Sequence, residues 1–423
     1  MEIKLKYGQG YKTLSLPDRA EIVFLAPSPH PTLTDLEHAV KQALDSPLEA
    51  ARLEDRPPPR RVAIALPDES RPVPFKAILP VVLRRLFNAY SNLEPEDISI
   101  IIGGGLHPRM GSDRARLWVP PEVSLECRMV IHDPHLSPLT DLGRTSRGTP
   151  VAINTEYSQA DLKMVIGQID PHQFVGFTGG AKGVAIGCAS PATIEHNHSL
   201  MFQDGAEAGR LDGNPVREDL NDIGRLAGVD LAVNVVLDPD KRAVGLWAGE
   251  PMAVLRRGAQ TCARVYGVAI SEQYDLAVAS CGGYPKDICL YQAQKGLNLA
   301  SRAVKPGGGI LLLASCDQGV GDQVYFDYVS RFDSCREAME DFRRGGFRMG
   351  AHKAYLFGRT LSRYEVAIES EMSAEDLRRC YLAPRPAQET LDRWLAERPG
   401  RPRVAVVPNA NTTYFYRAEG NGD

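Results

Sequence analysis

The apolar segment RVAIAL (61–66) is followed by FKAILPVVLRRLFNAY (75–90) and then by DISIII (97–102). Continuous apolar runs of this length are typical of strands buried on both faces, and the segment between them has helical spacing. Further strand-like runs at 128–132, 162–167 and 230–237 are separated by segments of which several are helical. This alternation predicts an α/β fold with a largely parallel sheet and helices on its faces.

A break in the pattern near residues 267–273 predicts a domain boundary. A fresh strand–helix–strand unit follows it, at 276–280, 287–304 and 309–314. We therefore expect two α/β domains with largely parallel sheets, residues 1–270 and 271–423, and an active site in the cleft between them. The short strands predicted in the first 25 residues fall in the first domain. The last predicted strand, 404–407, could belong to either domain.

Composition excludes several classes of protein. The 423 residues carry 49 Lys+Arg and 53 Asp+Glu, so the net charge is −4, which argues against nucleic acid as a partner. No run approaches about 18 apolar residues and no basic, apolar leader opens the chain, so we expect a cytoplasmic protein without a membrane partner. The eight cysteines form no C-x-x-C pair, which argues against a zinc ribbon and indicates reduced thiols.

Polar residues follow the predicted strands at their carboxyl ends, where open α/β sheets bind ligands. Asp68 to Arg71 follow the first strand, and His107 and His172 follow two strands that we expect to be neighbours. Histidine suits proton transfer near neutral pH, and a base on each side of one carbon is what a racemase needs. The alternative is a pair of buried, hydrogen-bonded structural histidines.

The segment GQIDPHQFVGFTGGAKG (167–183) is unusually rich in glycine. Gly176, Gly179 and Gly180 would let backbone amides approach an anion, most naturally a phosphate. The segment matches neither the Walker A pattern nor G-x-G-x-x-G, and a glycine-rich turn with an exposed Lys182 is the alternative. The following EHNH (195–198) places two histidines two residues apart. Their side chains would diverge by about 200° on a helix and align only in extended or irregular backbone.

Two cations are candidates for binding a carboxylate. Arg71 offers a planar fork and Lys295 a point charge, and a small anionic substrate often uses both. In a helix that begins near Asp287, Tyr291 and Lys295 would share one face at i, i+4 spacing. An exposed helical lysine is the alternative for Lys295.

Together these segments resemble the lactate racemase family. The matching motifs occur in family order over roughly residues 60–360: D-E-S-R-P (68–72), G-G-L-H (104–107), D-L-G-R-T-S-R-G-T-P (141–150), P-H-Q-F-V-G-F-T-G-G-A-K (171–182), H-N-H (196–198), Y-Q-A-Q-K-G (291–296) and H-K-A-Y (352–355). The P-H…G-F-T-G-G-A-K element followed by H-N-H is the most specific of them.

The resemblance implies a nickel-pincer nucleotide, a pyridinium-3-thioamide-5-thiocarboxylic acid mononucleotide, bound covalently to Lys182. It implies nickel ligation by His198, with a planar carbon, sulfur and nitrogen environment that suits this metal. The acid–base pair would be His107 and His172. The implied substrate-binding residues are Arg71, Gln292 and Lys295, and the implied cofactor-binding residues are Asp68, Gly176, Gly179, Gly180 and Tyr291.

The implied reaction inverts C2 of a 2-hydroxy acid by reversible hydride transfer to the cofactor through a flat 2-keto acid. The protein would be an isomerase, and cofactor-synthesis proteins would be needed for its maturation. Lactate, another short or aryl hydroxy acid, and a sugar acid all remain open as substrates. Pro108-Arg109 inverts the family's usual order at this point, which keeps the substrate open. The alternative function is a non-catalytic protein that binds or delivers the nickel nucleotide.

Overall fold

Twenty strands and fifteen α-helices make up the described part of the chain, residues 1–417 of a computed structural model. The strands are β1 (Glu2–Tyr7), β2 (Gly10–Ser15), β3 (Glu21–Phe24), β4 (Val62–Pro67), β5 (Ile98–Gly103), β6 (Arg128–Ile131), β7 (Leu139–Arg144), β8 (Pro150–Asn154), β9 (Leu162–Gln168), β10 (Pro171–His172), β11 (Gly176–Phe177), β12 (Leu231–Leu237), β13 (Ala243–Gly249), β14 (Gly267–Ile270), β15 (Tyr274–Ser280), β16 (Val304–Leu313), β17 (Glu365–Glu369), β18 (Ala383–Pro384), β19 (Arg403–Val407) and β20 (Tyr414–Arg417). The helices are α1 (Leu36–Asp45), α2 (Phe75–Ala89), α3 (Ser112–Trp118), α4 (Pro121–Glu126), α5 (Thr155–Ser158), α6 (Lys182–Ala185), α7 (Pro191–Ser199), α8 (Pro215–Ala227), α9 (Pro251–Tyr266), α10 (Leu290–Ala300), α11 (Gln323–Val329), α12 (Cys335–Gly345), α13 (His352–Leu361), α14 (Ala374–Arg379) and α15 (Ala387–Ala396).

The chain divides into two units, and the first comprises Pro29–Val265. Its main sheet has the order β13-β12-β9-β4-β5-β6, in which every pair is parallel except β12 with β13. Strands β5 and β12, each next to an edge strand, are buried along their whole length, which explains why they are largely apolar without alternation. The predicted α/β fold class is confirmed in this unit.

The second unit comprises Met1–Ser28 and the chain from Tyr266 onward. Its main sheet has the order β18-β17-β16-β15-β19-β3 and is parallel throughout. Two α/β units with largely parallel sheets are therefore present, as predicted.

The first 28 residues were predicted to belong to the N-terminal domain, and this is wrong. Strand β3 pairs with β19 over Glu21–Phe24, so backbone hydrogen bonds hold it in the C-terminal sheet. The alternating residues Ile3 and Leu5 of the β1–β2 hairpin join the hydrophobic core of the same unit. Strand β19 lies between β15 and β3, so the last predicted strand also belongs to the second unit.

The helix predicted over 287–304 is shorter in the structure, where α10 spans Leu290–Ala300. Asp287 is fully buried, and its Oδ2 accepts hydrogen bonds from the backbone N–H groups of Gly8 and Ser315. These distant partners explain why the helix begins later than its local sequence indicates. The following strand begins at Val304, where the prediction began at 309.

Two further findings concern membrane-spanning helices and the cysteines. Within residues 1–417, no helix combines the length and the apolar character needed to cross a bilayer. All eight cysteines are free, and seven of them are buried.

Candidate active site

The turn after β4 places a carboxylate against a histidine. Oδ2 of Asp68 lies 2.8 Å from Nδ1 of His107, and the N–H and hydroxyl of Ser70 donate to Oδ1. Burial alone raises the pKa of Asp68, but the hydrogen bonds from His107 and Ser70 outweigh it and hold the pKa at about 2. An ionised carboxylate only accepts, so Nδ1 of His107 carries the proton and Nε2 holds the lone pair. This pairing fixes the orientation of the His107 ring and the tautomer of its neutral form.

The strands that lead to His107 and His172 are not neighbours, and that prediction is wrong. Strand β4 lies between β5 and β9 and pairs with both in parallel. The chain forms β5 on one side of β4 and returns to add β9 on the other. Asp68 and Arg71 therefore follow the strand that lies between the two histidine-bearing strands.

His172 is held in a small antiparallel pair, in which it lies opposite Gly176. The backbone N–H of Val175 donates to Nδ1 of His172 at 3.3 Å. The ring packs edge to face on Phe174 with centroids 4.6 Å apart, and Phe174 packs in the same way on His198 at 5.2 Å. One phenyl ring therefore joins a predicted acid–base residue to the predicted metal ligand.

The glycine-rich turn has the positive φ angles that the sequence leads one to expect, but its amides are partly used inside the protein. At Gly176, with a φ of 80°, a Cβ would lie 1.9 Å from the carbonyl oxygen of Arg210. At Gly180, with a φ of 59°, the N–H donates to Oδ1 of Asn234 at 2.7 Å. Gly179 also has a positive φ, of 88°. The Gly180 amide is thus bonded to the protein in this structure, and a phosphate at this turn stays a prediction.

Lys182 begins α6 directly after this turn, and its amine has unusual acid–base properties. Although the side chain keeps some exposure, loss of water around the amine is the largest effect, and the positive charges of Arg71 and Arg217 add to it. Together they lower the pKa of Lys182 to about 7, against a smaller opposing effect of Asp68. A large fraction of the amine is therefore neutral near pH 7 and able to act as a nucleophile.

This shift predicts selective labelling of Lys182 in the chain without bound cofactor. Pyridoxal 5′-phosphate followed by borohydride should label Lys182 with half-maximal rate near pH 7, because only the neutral amine reacts. The exposed Lys76 on α2 serves as the internal control for labelling of a lysine at the surface. Peptide mass spectrometry across pH 5–10 measures both. Parallel profiles for the two lysines would contradict the lowered pKa.

The two histidines of the H-N-H motif lie on a helix, α7, and their side chains diverge. Nδ1 of His196 lies 2.7 Å from the hydroxyl oxygen of Thr149, while His198 is buried against Phe174. Burial lowers the pKa of His198 to about 3, with a further contribution from the charge of Lys182. A neutral imidazole is the form that ligates a metal. Only one histidine of the motif therefore lies beside Lys182.

A buried network orients His198. Oδ1 of Asn197 lies 3.2 Å from Nδ1 of His198, which assigns the proton to Nδ1 and the lone pair to Nε2. The amide of Asn197 is fixed in turn, because its Nδ2 donates to Oδ2 of Asp219 at 2.8 Å. Asp219 is fully buried and also accepts from the hydroxyls of Thr145 and Thr149. Partners of this kind set the tautomer and direction of metal-binding histidines.

Replacing Asp219 should destabilise the first unit. Asp219→Ala removes the carboxylate that accepts from the buried hydroxyls of Thr145 and Thr149 and leaves Nδ2 of Asn197 only the Val216 carbonyl. We therefore expect a loss of about 3 kcal/mol or more in the free energy of unfolding. Asp222→Ala on the same helix removes a surface ion pair with Arg225 and an exposed hydrogen bond from Ser146, and should cost about 1 kcal/mol or less. Urea unfolding of both variants measures the difference. Equal losses would show that the network adds no stability.

In the second unit, helix α10 carries the predicted Tyr291, Gln292 and Lys295. Tyr291 and Lys295 are partly buried at the predicted i, i+4 spacing, and Gln292 is exposed. A buried lysine that the sequence analysis did not single out, Lys353 of α13, lies 4.5 Å over the Tyr291 ring and donates to Oε1 of Gln294 at 2.8 Å. Burial, followed by the charge of Lys295, lowers the pKa of Lys353 to about 7.

Comparisons with known proteins cover most of the chain. The family described as "Lactate racemase N-terminal domain" matches residues 7–209, and "Lactate racemase C-terminal domain" matches residues 270–409. The chain is 30% identical over 386 residues to a lactate racemase of Lactiplantibacillus plantarum, covering 89% of this chain and 90% of that protein. The chain belongs to the lactate racemase family. It is therefore an enzyme of the isomerase class, as the sequence analysis predicts.

A second curated relative and two solved structures are also similar to this chain. A lactate racemase of Thermoanaerobacterium thermosaccharolyticum is 28% identical over 343 residues, which is 80% of each chain. The structure of the lactate racemase apoprotein from that organism has a TM-score of 0.88 at 24% identity, covering 98% of this chain and all of that one. A structure of a protein from Thermotoga maritima has a TM-score of 0.63 at 14% identity, covering 92% of this chain and all of that one. The last two likenesses concern the fold.

Two buried residues of the site fall between the matched family domains. Arg217 and Asp219 both lie on α8, and Asn214 caps this helix at its N-terminus. The sequence N-P-V-R-E-D (214–219) carries a helix-start signal, Asn followed by Pro. That signal locates the helix, but only the folded chain shows which buried groups Arg217 and Asp219 bind.

Proposed function

We propose that this member of the family inverts C2 of a 2-hydroxy acid, with the C2 hydrogen moving as a hydride and a nickel-pincer nucleotide bound covalently at Lys182. Both curated relatives carry the name lactate racemase, so lactate is the first substrate to test. The observation that carries the proposal is the pairing of Lys182, whose pKa is about 7, with the neighbouring neutral imidazole of His198.

These two side chains fit the proposed cofactor chemically. A neutral amine can form a thioamide, whereas an ordinary lysine is protonated at neutral pH. The hydrogen bond to Asn197 leaves the lone pair of His198 on Nε2, and a nitrogen donor suits nickel beside soft sulfur ligands. The chemistry that the bound nucleotide supplies is the reversible uptake of a hydride.

The other residues bind, orient and transfer protons. Asp68 orients His107 through Nδ1, so that in the neutral ring the lone pair lies on Nε2, which is proposed to remove the hydroxyl proton from one enantiomer. His172, whose ring is held through Nδ1 by the Val175 N–H, would serve the opposite face. Arg71 is the proposed partner of the substrate carboxylate in the first unit, and Gln292 and Lys295 are proposed for the second. We propose that Tyr291 of the second unit is a further residue of the site.

A carrier that only delivers the nucleotide is less well supported. Such a protein has no use for a carboxylate that fixes the tautomer of a histidine, as Asp68 does for His107. We propose that maturation needs cofactor-synthesis proteins and takes place in the cytoplasm, where the free cysteines stay reduced.

A deuterium experiment tests the proposed reaction. The protein is produced together with cofactor-synthesis proteins and given one enantiomer of C2-deuterated lactate, then other C2-deuterated 2-hydroxy acids and aldonic acids. We expect the opposite enantiomer to form with the deuterium retained at C2, because a hydride does not exchange with water. Loss of the label to solvent would show proton abstraction from C2 and refute hydride transfer. Chiral separation and mass spectrometry measure both quantities.

A further inference from the structure

Arg217 is a fully buried arginine whose guanidinium donates its hydrogen bonds to one short segment. Its Nε donates to the carbonyl of Val175 at 3.4 Å, its Nη1 to Gly179 at 3.5 Å, and its Nη2 to Phe177. These three acceptors are alternate residues of the turn that leads into Lys182. The nearby buried carboxylate, Asp219, is bonded instead to Thr145, Thr149 and Asn197.

A charge in this position is costly unless its surroundings compensate it. A buried guanidinium ordinarily has a carboxylate partner, because moving an unpaired ion out of water costs several kcal/mol. Here backbone carbonyl dipoles compensate the charge of Arg217. The guanidinium is planar and its N–H directions are fixed, so three carbonyls can satisfy it only if the turn keeps one shape.

Other contacts of helix α8 support the same segment on both sides of Arg217. Toward the start of the helix, Nδ2 of Asn214 donates to the carbonyl of Phe174 at 3.0 Å. Further along, Gly224 packs so closely on Ala181 that an added Cβ would lie 2.3 Å from the alanine Cβ. Helix α8 therefore contacts the chain from Phe174 to Ala181, and the next residue is Lys182.

We propose that Arg217 is a positioning residue for Lys182: its guanidinium fixes the carbonyls of residues 175, 177 and 179 and thereby places the amine that receives the cofactor. The proposal rests on the proposed function of Lys182. It assigns Arg217 no contact with substrate. A lysine at 217 would keep the charge but could not bind three carbonyls in one plane.

The first test uses the chain without cofactor. Amide hydrogen–deuterium exchange is compared for the wild type, Arg217→Lys, Arg217→Met and the control Arg225→Met, which removes an exposed arginine of the same helix. In the wild type the N–H groups of Thr178 and Gly180 are hydrogen-bonded, so the turn has protection to lose. We expect exchange in residues 174–182 to rise about tenfold in both Arg217 variants, with strand β12 unchanged and the control like the wild type.

Unchanged exchange over 174–182 in Arg217→Lys overturns the proposal. Should Arg217→Met fail to fold, Arg217→Lys alone decides, because it keeps the buried charge and most of the side-chain volume.

The second test separates positioning from a purely structural role. Each variant is produced with cofactor-synthesis proteins, and the fraction of chains that carry the adduct is read by intact mass. We expect Arg217→Met to fall to about a tenth of the wild-type fraction and Arg217→Lys to restore part of it, at similar melting temperatures. Wild-type occupancy in both variants overturns the proposal. If the wild type itself gains no mass, the proposed function of Lys182 fails, and the exchange result alone decides whether Arg217 holds the turn.

Discussion

Lys182→Ala will carry no covalent adduct and will show no measurable racemase activity, a loss of at least about four orders of magnitude in turnover. The reason is that the proposed hydride acceptor belongs to the cofactor and no side chain of the chain can replace it. Lys182→Arg should behave in the same way, since it keeps a positive charge but cannot form the thioamide. Intact mass and enantiomer conversion are measured on protein produced with cofactor-synthesis proteins.

The matched control is Lys76→Ala, which removes an exposed lysine of α2. It should keep both the adduct and full turnover. An adduct on Lys182→Ala would place the attachment at another residue. Turnover without an adduct would refute the covalent link while leaving the racemase activity in place.

His107→Ala should keep the adduct but lose about 10²–10⁴ of its turnover, the usual effect of removing a general base. Asp68→Asn should lose nearly as much. Ser70 donates its N–H to Oδ1, so an amide at 68 keeps its oxygen there and turns its NH₂ toward Nδ1 of His107. That donor reverses the tautomer and leaves Nε2 protonated. Steady-state turnover in both directions is measured beside the intact mass.

The control for this pair is His135→Ala, which removes an exposed histidine and should leave turnover unchanged. Full turnover in both His107→Ala and His172→Ala would refute the two-base mechanism. If Asp68→Asn instead lost the adduct, Asp68 would be a cofactor-binding residue, as the family resemblance implies.

Local sequence patterns predicted most elements of the two sheets. Strands β4, β5 and β12 are apolar because both faces are covered, and that property is visible in a single segment. The order of strands within a sheet depends on long-range pairing and is not visible there. This is why His107 and His172 were wrongly expected on neighbouring strands, and why β3 was placed in the wrong domain.

In the candidate site, too, local motifs were readable from the sequence and long-range partners were not. The residue types at Lys182, His198 and His107 pointed to their chemistry because the family motifs are specific. The groups that set their chemical state come from elsewhere: Asp68 lies 39 residues from His107 along the chain, and Asn197 depends on Asp219. Arg217 was missed because its partners are backbone carbonyls, which no pattern of side chains can reveal.

The pairing of β3 with β19 has a consequence for the order in which the protein is made. Residues 29–265 form one uninterrupted unit, so all of its residues can emerge from the ribosome before the rest of the second unit is synthesised. Strand β3 is synthesised before this unit, yet its neighbour in the sheet, β19, comes much later: Arg403 follows its partner Glu21 by 382 residues. The edge of β3 that pairs with β19 therefore stays unpaired until β19 has been synthesised. During this interval the unit that carries Lys182 already has all of its own residues and can begin to fold.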